Sequence, residues 1–249
     1  MDKCIKKNQS ISYNTTYVFY TVFIMFLCVC LSYCMFMLIQ PLTHVNSSGT
    51  FESYFKEIKS EYSEQYDLSW KIVKSSVKSV LNHASPESPA VVLLLGMKEN
   101  EDRINIITDK LARVIAISFN ETLPEYKDFD LNNLASISDY VEVKHKIVET
   151  ISTSVEWNKH HVLVIHHLEK IPAKGAMAFH SFCDHESAPY KNVVYLFRAS
   201  ISEMPLKEDI QLFDSIATKY LNQIWEKDLD QDKRGALISR LTSAVAMFK

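Results

Sequence analysis

Glycine is scarce in this chain, and its scarcity argues against a phosphate-binding loop. The 249 residues contain 4 glycines, namely Gly49, Gly96, Gly175 and Gly235. A phosphate-binding loop uses two glycines, so that its backbone can wrap the phosphates, followed by Lys and then Ser or Thr. Residues 96–102 instead read Gly-Met-Lys-Glu-Asn-Glu-Asp, and the three carboxylates would repel phosphate. We therefore expect no nucleotide or other cofactor site in this chain.

Other enzyme signatures are also missing. No G-x-S-x-G segment supplies a serine nucleophile, and Cys183 with nearby His180 or His185 indicates thiol catalysis only weakly. A metal site would have to add His166 and His167 to these three residues. Adjacent strand residues point to opposite faces, which favours structural histidines over ligands. We expect neither enzymatic activity nor a metal site.

A calcium loop is suggested by the spacing of Asp228, Asp230 and Asp232. Such a loop needs Gly at its sixth position and Glu at its twelfth. Counted from Asp228, these positions hold Lys233 and Ser239. The segment 228–234 is therefore interpreted as a polar connector between two helices.

Charged residues are absent from positions 17–39, which form the longest apolar run. Roughly 20 such residues are enough to cross a bilayer as a helix. A cleaved signal peptide is the alternative, but its core is usually about 7–15 residues and ends at a small-residue cleavage site. Lys3, Lys6 and Lys7 precede the run, and the first charged residue after it is Glu52, so the positive-inside rule keeps the N-terminus cytosolic.

The expected organisation is a single-pass type II membrane protein of the endomembrane system. It has a cytosolic tail (1–16), a transmembrane helix (17–39), a juxtamembrane linker (40–50) and a luminal domain (51–249). The chain carries a net charge of −3 without a block of like charge, so nucleic-acid binding is not expected. Asn46 and Asn120 begin glycosylation sequons on the translocated side. Cys183 is the only cysteine of the domain, which excludes an internal disulfide there.

Apolar periodicity predicts an α/β fold. Two amphipathic helices within 51–81 precede a continuous apolar strand at 90–95. Helical stretches are then predicted at 102–111, 136–154, 175–184, 208–227 and 235–248, and strands at 113–119, 161–166 and 192–197. Strands that alternate with helices indicate a mainly parallel sheet with helices on both faces.

Two sequence blocks resemble a known family. They are the H-x-E-x-x-P-A segment beginning at His167 and the Phe182-Cys-Asp-His-Glu186 block. Together with the predicted anchor, they resemble the luminal domains of torsin-activating proteins, the family of lamina-associated polypeptide 1 and its endoplasmic-reticulum relative. The resemblance is clearest over residues 91–248 and weak over 51–89.

The resemblance implies an AAA+-like, degenerate P-loop-type domain without nucleotide. Such a domain activates torsin, an AAA+ ATPase of the lumen that lacks its own arginine finger. The family's finger lies in a W-S-R-I-like segment of the C-terminal helix, which Leu237-Ile-Ser-Arg240-Leu241 matches. Arg240 is thereby implied as a finger supplied in trans, and Ser239, Arg240 and Leu241 as partner contacts. From the residues alone, an ordinary exposed arginine is the simpler interpretation.

Two departures from the family pattern accompany this resemblance. The family pairs the cysteine of the F-C-D-H-E block with one near the C-terminus, whereas this chain ends Ala246-Met-Phe-Lys249. The predicted cytosolic tail is too short for a lamin-binding region, so the endoplasmic-reticulum member is the closer match. The implied location is the endoplasmic reticulum membrane, the nuclear envelope or both.

Two other function classes remain open. The domain could be a luminal adaptor that binds torsin or another partner without activating it. It could also be a self-contained enzyme, although no residue pattern indicates a substrate.

Overall fold

The computed structural model describes residues 18–20, 22–31, 47–120, 124–202 and 213–249. The chain divides into two compact units, Met1–Asn46 and Ser47–Lys249. In the first unit, stretches 18–20 and 22–31 are helical and exposed. No helix among the described residues is long and apolar enough to cross a membrane. The predicted tail, the rest of the predicted span 17–39, and Asn46 lie outside the described residues, so the anchor stays a prediction.

In the described part of the second unit, five strands form one sheet in which all four strand pairs are parallel. The strands are β1 (Ala90–Met97), β2 (Lys127–Asp130), β3 (Val162–His166), β4 (Val194–Ile201) and β5 (Val245–Phe248). Their spatial order is β2-β3-β4-β1-β5. The predicted mainly parallel sheet flanked by helices is therefore confirmed.

Helices cover both faces of this sheet. In chain order they are α1 (Ser47–Glu61), α2 (Asp67–Leu81), α3 (Glu101–Phe119), α4 (Tyr140–Ser152), α5 (Ala173–Ala176), α6 (Phe179–Phe182), α7 (Phe213–Trp225) and α8 (Gln231–Leu241). The first three pack on one face, and α4 to α8 pack on the other. Helix α1 begins at Ser47, so the last residues of the predicted linker 40–50 belong to the domain.

Strand β1 explains why the sheet needs two covered faces. All eight of its residues are buried, and so are all eight of β4. Side chains alternate along a strand, so Leu93 and Leu95 contact the α4 to α8 layer, whereas Val92 and Leu94 contact the α1 to α3 layer. The uninterrupted apolar run at 90–95 is the sequence signature of this double burial.

Three predicted elements are wrong. Residues 113–119 continue α3 instead of forming a strand, because Leu111, Ile115 and their neighbours bury one side of a single helix. The helix predicted for 235–248 ends at Leu241 and is followed by β5. The segment 175–184 forms two short helices rather than one. A short apolar run fits either a strand or a buried helix, and periodicity alone does not separate them.

Strand β2 went unpredicted because its sequence, Lys-Asp-Phe-Asp, is mostly polar. It lies at the edge of the sheet and pairs only with β3. Edge strands commonly carry charged residues, which makes them hard to find from apolar patterns.

Candidate functional site

The connection after β1 is too short to wrap a phosphate. Gly96 lies inside the strand, and a three-residue turn, Lys98–Asn100, leads directly into α3. A Cβ at position 96 would overlap the side chain of Ile104. The glycine therefore serves the close packing of α3 on β1.

A buried arginine occupies the carboxyl end of the central strands, where open α/β sheets usually bind their ligands. Arg198 in β4 is 2% exposed and donates a hydrogen bond to the side chain of Asn105 in α3. Its Nη1 also lies 3.4 Å from the carbonyl oxygen of Glu101, and its Nη2 lies 3.8 Å from the Glu101 carboxylate. Burial lowers the pKa of Arg198, and the nearby carboxylate partly offsets this.

His167 extends the same polar cluster. Its Nε2 lies 2.9 Å from Oε1 of Glu101 and its Nδ1 lies 2.6 Å from Oδ1 of Asp130. Burial disfavours the charged imidazole, but hydrogen bonds to the two carboxylates raise the pKa of His167 overall. Glu169 is also part of this cluster, and burial, which disfavours its charged form, raises its pKa. Its carboxylate accepts a hydrogen bond from the Ser200 amide at 3.3 Å. The carboxylates and His167 at this edge therefore have polar partners, whereas the buried Nε of Arg198 has no hydrogen-bond partner among the described residues.

A polar pocket of about 300 Å³ lies beside this cluster, between α3 and the ends of β2 and β3. Within it, Nε2 of His166 lies 2.8 Å from Oδ1 of Asp128. His166 and His167 thus have different carboxylate partners, as expected for structural histidines. Among the described residues, no group of three or more His, Cys, Asp or Glu side chains is placed to hold a metal ion.

Cys183 is poorly suited to thiol catalysis. It is 6% exposed and lies in the core between the sheet and the α4 to α8 layer. Burial raises the pKa of this thiol, so it stays protonated and unreactive at neutral pH.

Arg240 lies at the C-terminal turn of α8, at the surface of the domain. Its Nε and Nη2 donate to one carboxylate oxygen of Asp184, at 2.9 and 2.6 Å. Its Nη1 donates to the carbonyl oxygen of Ala236, one turn earlier, at 2.8 Å. The Arg240 side chain is 27% exposed, so the contacts with Asp184 and Ala236 hold a guanidinium on a partly exposed side chain.

The loop after α6 positions Asp184. Its second carboxylate oxygen accepts hydrogen bonds from the Glu186 and Ser187 amides and from the Ser187 hydroxyl, at 3.1, 2.9 and 2.9 Å. The Ser187 amide and the Arg240 guanidinium hold the pKa of Asp184 well below its usual range. Asp184 was not predicted as a site residue, although it stands at the centre of the F-C-D-H-E block.

The two residues that flank Arg240 in sequence differ in their exposure to solvent. Ser239 is exposed and could contact a partner. Leu241 is completely buried in the core and offers no exposed surface in this domain, and its predicted contact with a partner stays a prediction. The helical spacing explains this, because Leu237, Ile238 and Leu241 form the inward face of α8.

The polar connector between α7 and α8 is shorter and more structured than predicted. Asp230 caps the N-terminus of α8 by accepting from the Lys233 amide at 3.0 Å, and Asp228 accepts from the Ala173 amide at 3.1 Å. Arg234 ties α8 to α7 through the Asn222 side chain at 2.9 Å. Asp228 and Asp230 thus have structural partners within this connector.

The predicted sequon at Asn120 falls directly after α3, where Asn120 is exposed. An exposed position is compatible with a glycan, but its use stays a prediction.

Comparison with known proteins identifies the family. Residues 35–245 match the family described as lamina-associated polypeptide 1, AAA+ activator domain. This chain belongs to that family. The match confirms the resemblance carried by the two sequence blocks, and it covers strands β1 to β4 and only the first residue of β5.

Several relatives agree with this assignment. The chain is 26% identical over 216 residues to Torsin-1A-interacting protein 1 of Bos taurus, covering 82% of this chain and 35% of the relative. The human protein of the same name is 25% identical over 223 residues, covering 82% of this chain and 36% of the relative. The chain thus spans about a third of the length of the curated relatives it matches.

A solved structure also resembles the domain. It is a DNA polymerase III gamma subunit-related protein from Thermotoga maritima, with a TM-score of 0.32 and 12% identity, covering 70% of this chain and 58% of the other.

Proposed function

We propose that this activator domain binds a torsin in its ATP-bound state and stimulates ATP hydrolysis by supplying Arg240 in trans. In this proposal ATP and Mg²⁺ belong to the partner, and the domain itself binds no nucleotide. The relatives' name, Torsin-1A-interacting protein 1, supports torsin as the partner.

One observation carries the proposal. The domain has a partly exposed arginine, Arg240, at its surface, whereas the position at the end of its own β1 is occupied by the short turn at Lys98–Asn100 and the Arg198 cluster. A guanidinium that contacts the γ-phosphate of a nucleotide bound to a partner protein stabilises the negative charge that develops in the transition state. In GTPases such a contact raises the rate of hydrolysis by about 10³–10⁵-fold. Lysine would replace it poorly because it lacks the planar fork of donors.

The membrane topology of the chain and the compartment of its domain are also part of this proposal. The basic residues before the run 17–39 orient the domain toward the lumen of the endoplasmic reticulum or nuclear envelope. Protease added to intact microsomes should then remove only the short tail. Digestion of the domain without detergent would contradict this orientation.

A luminal adaptor is the second candidate. The Asp184 contact favours it, because a paired guanidinium presents less net charge to a phosphate than a free one. Measuring the ATPase rate of torsin-1A with and without the full chain separates the two candidates. Stimulation supports the activator, and ATP-dependent binding without stimulation supports the adaptor.

A further inference from the structure

We propose that Asp184 is the positioning residue for Arg240: it holds the guanidinium so that two parallel N–H groups point outward, ready for two oxygens of the partner's phosphate. The inference rests on the proposed function of Arg240 and adds a second residue to it. It also assigns the F-C-D-H-E block, through Asp184, a role in positioning Arg240 that the sequence alone does not show.

The argument begins with the donors of Arg240. A guanidinium has five N–H groups in one plane. The Asp184 carboxylate takes one from Nε and one from Nη2, and the Ala236 carbonyl takes one from Nη1. Two N–H groups remain, one on Nη1 and one on Nη2, and neither has a partner among the described residues.

The plane of the group fixes where these two N–H groups point. The edge formed by Nε and Nη2 faces Asp184, and Nη1 bonds to Ala236, one turn earlier in α8. Because Nη1 lies on the Cδ side of the guanidinium, we assign this bond to the Nη1 hydrogen that points back along the side chain. The two remaining hydrogens therefore lie side by side at the tip of the group. This is the fork that binds carboxylate or phosphate in a bidentate manner.

Asp184 can act as a rigid support because its own position is fixed. Its Oδ2 receives both bonds from Arg240, and its Oδ1 is held by three donors of residues 186 and 187. Asp184 is 56 residues away in the chain and lies after a different helix, so it restrains Arg240 independently of α8. A finger that is already ordered loses less conformational entropy when it meets the phosphate.

A histidine lies near the pair formed by Arg240 and Asp184. His180 in α6 is close enough to Arg240, Asp184 and Lys144 to feel their charges. Burial, and next the Arg240 charge, lower the pKa of His180, so it is neutral at physiological pH and does not compete for Asp184.

The test compares variants of the full chain in a torsin-1A ATPase titration. Asp184→Ala should lower the maximal stimulated rate by about tenfold to a hundredfold, the usual cost of a misplaced catalytic group. The half-saturating concentration should stay within about twofold, because one displaced side chain leaves the rest of the interface intact. Asp184→Asn should lose less, since its amide oxygen still accepts a bond from Arg240. Asp67→Ala is the control, because it removes a paired carboxylate on the opposite helix layer.

Full stimulation of torsin-1A by Asp184→Ala would overturn the inference. Increased stimulation would also overturn it, because it would mean that Asp184 holds Arg240 away from the phosphate. A loss confined to the half-saturating concentration would equally overturn it, because it would indicate a binding role.

A second measurement needs no torsin. The Nε–H resonance of Arg240, assigned by its loss in Arg240→Lys, should be protected from exchange in the unmodified chain and unprotected in Asp184→Ala. Equal protection in both would overturn the positioning role. If the unmodified chain fails to stimulate torsin-1A, the proposed function fails, and this resonance still decides whether Asp184 holds Arg240.

Discussion

Gly96 and Ile104 are in such close contact that a methyl group on Gly96 would occupy the space of the Ile104 side chain. The contact joins the buried strand β1 to the first turns of α3. A glycine that lies where nucleotide-binding proteins place a phosphate loop is thus retained here for packing.

Gly96→Ala should therefore destabilise the fold, by about 1–3 kcal/mol, because overpacking forces either α3 or Ile104 to shift. Urea unfolding followed by circular dichroism measures the change. The matched control is Gly235→Ala in α8, where a Cβ would meet nothing within 4 Å. Alanine there should stabilise the helix by about 0.5–1 kcal/mol. Equal effects at the two positions would contradict the packing role of Gly96.

Arg240→Ala should abolish stimulation of torsin-1A while ATP-dependent binding largely survives. The finger acts on the transition state, whereas many other contacts hold a complex together. Arg240→Lys should fail nearly as badly, because it keeps the charge but loses the fork of donors. The rate at saturating concentration of the chain is the quantity to measure.

The control for Arg240 has to be chosen from the structure. Arg234 also donates to the carbonyl oxygens of Glu226 and Leu229, so its removal would loosen the α7 to α8 connection. Arg103 is a better control, since it is half-exposed and bonds only to Glu64 among the described residues. If Arg103→Ala loses stimulation and Arg240→Ala keeps it, the wrong arginine has been assigned.

His167 should make stability depend on pH. Its pKa is raised in the folded state, so the native protein binds more protons than the unfolded chain from about pH 6.5 upward. The stabilisation is fully present below that pH and is lost as pH rises through the folded-state pKa. His167→Gln should flatten this part of the stability profile, measured by urea unfolding between pH 5.5 and 8.5. His145→Gln, at an exposed position on α4, is the matched control for replacing a histidine by glutamine.

The chain on its own should bind no ATP. The short turn after β1, the carboxylates at Glu99, Glu101 and Asp102, and the buried Arg198 leave no backbone nest for phosphate. Titration calorimetry with Mg²⁺ and ATP should give no measurable heat of binding. A magnesium-dependent signal in the micromolar range would show that the domain keeps a nucleotide site of its own.

The sequence by itself determined the parallel sheet and the place of Arg240. Double burial requires a continuous apolar run, and 90–95 supplies one, so β1 could be predicted from composition alone. Arg240 could be placed in a helix because apolar residues recur around it at helical spacing. The sequence did not show that residues 113–119 continue helix α3 or that Val245–Phe248 form strand β5. A short apolar run fits either a helix or a strand.

Only the tertiary structure decided what surrounds the candidate finger. Asp184 and Arg240 are 56 residues apart and belong to segments that meet only after α6 and α8 have packed in the same layer. Leu241 adjoins Arg240 in sequence but lies in the core, because successive residues of a helix point in different directions. Local patterns in the sequence encode periodicity and burial, whereas contacts between distant segments depend on how the whole core packs.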